Sequence, residues 1–172
     1  MRSNGQIRVS GSLLLLLFLV LVGGCRDGRQ PVELDLFVTG DVHGSLFPED
    51  LLTGEDTGGS TARVAAVVRD FRREKGEESV LLMDAGDLLQ GQPFTYYANY
   101  LADSTAPHAV ARIYNSLGYA AMTIGNHDIE TGHPVYDRFV READFPVLGA
   151  NVIDRATGKA YFTPYTMLEQ KG

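Results

Sequence analysis

Three times in this chain a short apolar run breaks at a glycine and gives way to a cluster of acid, amide and imidazole side chains. Residues 32–39 (VELDLFVT) lead into Gly40-Asp41-Val42-His43-Gly44. Val80 to Met83 lead into Asp84-Ala85-Gly86-Asp87, and Ala120 to Ile124 into Gly125-Asn126-His127-Asp128. The clusters stand about 40 residues apart. Runs of four to eight apolar residues bounded by such turn signals predict buried strands.

The intervening segments have helical spacing. Val64, Val67, Val68 and Phe71 predict a helix capped by Ser60 or Thr61 and stopped by Gly76. Its charged residues Arg69, Asp70, Arg72 and Arg73 are expected to form a solvated face. Val110, Ile113, Tyr114 and Leu117 predict another helix, with Pro107 at its first position and Gly118 after its last turn. Residues 93–102 read as an aromatic helix whose tyrosines pack, and residues 134–143 as a further helix with Phe139 inward. Residues 147–150 and 161–168 are expected to be a fourth and a fifth strand. Strands alternating with helices predict an α/β fold with a largely parallel sheet, in which ligands bind beyond the carboxyl ends of the strands.

At those ends the three clusters can converge. Asp41 and His43 lie two apart in a loop, Asp87 ends the second strand, and Asn126 and His127 end the third. Mixed oxygen and nitrogen donors without thiolate suit Mn, Zn, Fe or Co better than Ca. A shared carboxylate is the natural bridge for two ions held about 3.5–4 Å apart, which can activate a water for in-line attack on phosphorus. His127 can serve beside such ions without binding them, with a nearby carboxylate fixing its tautomer.

The three blocks, in this order and at this spacing, resemble those of the calcineurin-like metallophosphoesterases. Residues 58–65 (GGSTARVA), GDLLQGQP and NSLGYAAMTIGNHD are more narrowly similar to bacterial 5'-nucleotidases, UDP-sugar hydrolases and cyclic-nucleotide phosphodiesterases. The resemblance covers roughly residues 34–168. It implies the N-terminal half of a layered metallophosphoesterase β-sandwich flanked by helices. It also implies two divalent ions (Mn, Zn, Fe, Co or Mg) and a small phosphorylated substrate, a nucleotide or a close derivative. Asp41 and His43 would bind the first ion, Asp87 both, and Asn126 the second. His127 would be the leaving-group histidine, paired with Glu130, where Asp is more usual in the family, or with the nearer Asp128.

Two features depart from the family pattern. Its further metal histidines include a Gly-His-x-His pair, yet only His108 and His133 remain here, and both read as exposed. The nucleotidase branch also carries a C-terminal domain that stacks the base. The expectation is that residues 32–172 are the N-terminal part of a longer domain, so that an inactive, lipid-anchored remnant is the rival to a nucleotidase.

The leader and the charge constrain location and partners. Arg2 and Arg8 precede an apolar run from Leu13 to Val22, roughly half the ~20 residues a membrane span needs, so residues 1–24 read as a secretory signal. Gly23-Gly24-Cys25 resembles a lipobox, which implies a lipid on Cys25, the single cysteine, with residues 25–31 as tether. The expected location is the bacterial cell envelope, periplasmic or surface-exposed, with the membrane as a partner. The formal net charge of −7 makes a nucleic-acid polymer a poor partner.

Overall fold

The computed structural model describes residues 31–170, so the lipobox and Cys25 lie outside the described residues. Strand β1, Asp35–Thr39, begins a few residues later than the apolar pattern implies. Helix α1, Thr61–Lys75, is capped by Ser60, whose side chain accepts from Arg63 N. Gly76 at φ 96° stops it, and a 3-10 turn over Glu77–Ser79 leads into strand β2, Val80–Asp84. Helix α2, Pro93–Tyr96, passes into a π-helical turn, Tyr97–Leu101. Helix α3, Ala109–Leu117, ends at Gly118 in the left-handed region, as a C-terminal glycine allows. Strand β3 is Ala121–Thr123, followed by short helix α4, Asn126–Glu130, helix α5, His133–Glu142, and strand β4, Val147–Leu148.

The four strands form one sheet in the order β1-β2-β3-β4, and every pairing is parallel. The register aligns Thr39 with Asp84 and Asp84 with Met122, so the carboxyl ends of β1, β2 and β3 open side by side. Parallel neighbours need a crossover, and α1 and α3 supply those between β1 and β2 and between β2 and β3. The core gathers Val68, Leu82, Val110, Tyr114, Met122 and Phe139 between the sheet and the helices. β2 is buried on both faces, as a central parallel strand should be.

Several expectations are corrected. Among the described residues β1 is an edge strand with one face on the core and Leu36 and Val38 exposed on the other, not a buried strand. Residues 161–168 form no strand. Only Thr163 bridges, to Leu148, because Phe162 alone turns to the core while Tyr165 and Met167 face outward. Pro107 stands one residue before the cap of α3, and the cap is His108, which is 1% exposed instead of solvated. Tyr96, Tyr97 and Tyr100 lie half-exposed instead of buried, although the Tyr96 and Tyr100 rings pack on each other at 5.1 Å, while Phe94 meets Phe47 edge-on. Arg72 leaves the solvated face of α1. Its guanidinium donates to Leu117 O and Gly118 O, each at 2.8 Å, and so satisfies the open carbonyls at the end of α3.

Candidate metal centre

Among the described residues, three that are not glycine adopt positive φ: Asp41 at 51°, His43 at 47° and Asp87 at 60°. A side chain in this left-handed region costs on the order of 1–3 kcal/mol and persists only where its surroundings over-determine it. All three are ligand candidates, and all three sit just beyond the carboxyl ends of β1 and β2. The strain is held by hydrogen bonds between the two loops. Asp41 N donates to Gly86 O at 3.0 Å, and His43 N to Asp87 O at 2.9 Å. Gly125 must be glycine for steric reasons: a Cβ there would lie 2.0 Å from Asp87 Oδ1.

His43, Asp87 and His127 bring one ligand atom each to within 4.8 Å of one another, a group able to hold a metal ion. The two imidazoles meet edge-on with centroids 5.0 Å apart. Each ring is oriented through Nδ1. His43 Nδ1 lies 3.0 Å from the carbonyl of Gln90, and His127 Nδ1 lies 3.0 Å from Glu130 Oε2. Both partners accept only, so Nδ1 carries the hydrogen on each ring and Nε2 is left for an ion or a reacting oxygen. Such outer partners are what metal-binding histidines require. Asp87 Oδ1 accepts from His127 N at 3.0 Å, which ties the carboxylate to the loop that carries the second imidazole. The donor set of two imidazoles and a carboxylate fits a transition-metal dication.

The remaining candidates are placed less centrally. Asp41 is exposed and outside the three-donor group, although its backbone is pinned to the second loop. Asn126 is exposed, with its amide 3.5 Å from Glu130 Oε1. Glu130 is the carboxylate that meets His127. The Asp128 carboxylate is fully buried and accepts from four backbone N–H groups, with no hydrogen bond to the His127 ring among the described residues. His133, exposed as expected, lies apart with Tyr136, Asp137 and Tyr161, where the bond to Asp137 pushes the Tyr161 hydroxyl up to about 12. The Gln90 contact had no sequence signal, since a backbone carbonyl is common to every residue.

A buried polar layer lies beneath the loops. Asp84, 3% exposed, accepts from Thr39 Oγ1 at 2.5 Å, from Tyr114 OH at 3.1 Å and from Gly86 N at 2.8 Å. Burial pushes its carboxyl above the ordinary range, and these three donors oppose the shift. Tyr114 stacks on Tyr119 at 4.2 Å, and the Tyr119 hydroxyl is 3.0 Å from Thr39 Oγ1.

The family model described as calcineurin-like phosphoesterase matches residues 34–168. The chain belongs to this family. Within it, the chain is 33% identical over 145 residues to the trifunctional nucleotide phosphoesterase YfkN of Bacillus subtilis, covering 81% of this chain and 10% of that protein. It is 35% identical over 156 residues to the 5'-nucleotidase of Bos taurus, covering 81% of this chain and 24% of that one. The crystal structure of YfkN as a calcineurin-like phosphoesterase superposes with a TM-score of 0.71 at 32% identity, covering 81% of this chain and 42% of that one. The relatives place this calcineurin-like chain in the branch of 5'-nucleotidases and 2',3'-cyclic-nucleotide phosphodiesterases, and it spans only a minor part of their length.

Proposed function

We propose that this chain contributes the N-terminal part of a divalent-metal centre that hydrolyses phosphoesters of nucleotides in the manner of a 5'-nucleotidase. The carrying observation is the coincidence of backbone strain with donor chemistry. The three strained residues Asp41, His43 and Asp87 line the strand ends, and His43, Asp87 and His127 converge within 4.8 Å. His43 and Asp87 would hold metal, joined by Asp41 and Asn126 from the rim. Two bound ions would supply Lewis acidity to activate a water and offset charge on the phosphoryl group. His127, with Nδ1–H donating to Glu130, would present Nε2 to the leaving oxygen and, as the imidazolium, would give that oxygen the Nε2 proton while keeping the one on Nδ1. Relatives named for 5'-nucleotides and for 2',3'-cyclic nucleotides both match, which supports a nucleotide phosphoester as the substrate class, with UDP-sugar hydrolysis the alternative within it. A lipid on Cys25 would hold the enzyme at the bacterial envelope facing exogenous nucleotides.

The second reading is a lipid-anchored protein of this fold that binds without turnover. One observation favours it: His108 is enclosed against Asn99 and His133 stands among tyrosines, so among the described residues neither adds to the three-donor cluster. Phosphate release by the full-length protein with Mn2+ separates the two, using AMP, 2',3'-cyclic AMP and UDP-glucose as substrates. Turnover of a nucleotide that disappears in Asp87→Asn supports the hydrolase. Mn2+ binding by wild type with no release from any of the three supports the binding protein.

A further inference from the structure

The carboxylate of Asp128 is fully buried and is filled on both oxygens by backbone donors from two loops. Its Oδ1 accepts from Leu88 N and Leu89 N, each at 2.8 Å. Its Oδ2 accepts from Asp87 N and Gly125 N, each at 2.9 Å. Three consecutive N–H groups, those of residues 87, 88 and 89, therefore point at one side chain. Consecutive N–H groups converge in this way when a residue takes the left-handed conformation, which makes a concave seat for an anion. Asp87, at φ 60°, opens that run. The loop after β2 has thus formed an anion seat, and a carboxylate from the loop after β3 occupies it.

The exchange runs in both directions. Asp87 sends Oδ1 to the backbone N of His127 at 3.0 Å, while Asp128 sends its oxygens back to the backbone of Asp87 and its two successors. The two loops hold each other through two carboxylates. One of these faces the candidate ions and the other is sealed from them.

We propose that Asp128 is a positioning residue, a buried clasp that keeps Asp87 left-handed and His127 in place, and so sets the affinity and geometry of the metal site. The inference rests on the metal reading above. Return of Asp87 to negative φ would swing its N–H off the clasp and carry its carboxylate away from His43 and His127. Asparagine cannot replace the clasp, because it offers one oxygen and turns an NH2 group toward N–H groups that need an acceptor.

The test uses the full-length protein and Co2+ as probe, with visible absorption read during titration. Three proteins are compared: wild type, Asp128→Asn and Val147→Ala, the last a core substitution in β4 that loosens the fold away from the loops. The expected result is a loss of Co2+ affinity of at least tenfold in Asp128→Asn, with altered band positions and intensities. Val147→Ala should keep the wild-type affinity and spectrum at its own lowered Tm. An Asp128→Asn protein with wild-type affinity and spectrum overturns the inference. Should that variant fail to fold, hydrogen exchange on wild type decides. The amides of Asp87, Leu88, Leu89 and Gly125 should exchange as slowly as the centre of β2, and rapid exchange at Leu88 and Leu89 overturns the clasp. Absence of Co2+ binding by wild type overturns the metal reading itself, and this inference with it, before any variant is compared.

Discussion

The ring of His108 is enclosed at the start of α3, with Nδ1 accepting from Ala111 N and Nε2–H donating to Asn99 Oδ1. Burial, reinforced by the Arg138 charge, holds its pKa down at about 4, against an ordinary value of 6.5. The unfolded chain therefore takes up this proton first as pH falls. The stability that the neutral ring contributes is complete above pH 6.5 and is lost as pH falls through about 4, up to roughly 3 kcal/mol in all. His108→Asn keeps a capping acceptor but cannot titrate. Urea unfolding of the two proteins between pH 7 and pH 4 should show the steeper decline in wild type, and equal slopes would refute the assignment. At His127 the same ring is half-open and paired with Glu130. Glu130→Ala should lower kcat roughly 10²-fold while Mn2+ affinity stays near wild type, because the ring loses its orienting acceptor and the metal loses no ligand. A parallel fall in Mn2+ affinity would show that His127 binds metal.

At the scale of elements, β1 and β2 share a register but not an environment. Leu82 in β2 is 1% exposed, whereas Leu36 in β1 is 55% exposed. Leu82→Ala should destabilise the protein by about 2–5 kcal/mol and Leu36→Ala by about 0.5 kcal/mol or less, read from urea midpoints at constant m. Comparable losses would mean that the outer face of β1 is covered. The helices were legible because their signals are local. Ser60 and Gly76 bound α1, Gly118 ends α3, and the apolar spacing between them picks out the buried side. Other features are tertiary. Arg72 reads as one more charge on a solvated helix until α3 ends beside it and offers two carbonyls. Residues 161–168 carry strand-like side chains, but β4 is two residues long and gives them almost no ladder to extend. The π-helical turn at Tyr97–Leu101 left no signal in the apolar pattern, and its tyrosines lie half-exposed.

For the molecule as a whole, a site built from strained loops should make stability depend on metal. An ion at about 100 times its Kd stabilises the state that binds it by about 2.7 kcal/mol. Mn2+ should therefore raise the Tm of the full-length protein, EDTA should reverse the rise, and Asp87→Asn should abolish it. A Tm indifferent to Mn2+ and EDTA would argue that no ion completes these loops. The sequence alone determined the alternation of four strands with helices between them, the end of the sheet at which the acid and imidazole side chains gather, and the donor types that meet there. These follow from periodicity, glycine and donor chemistry, which act over a few residues at a time. Only the tertiary structure decided how the two carboxylates after His127 divide their work. Glu130 faces the ring and Asp128 turns inward to four N–H groups, because α4 sends side chains three and one residues on from the histidine in different directions. It likewise buried His108 and left the outer face of β1 open, since burial is set by what arrives from distant parts of the chain.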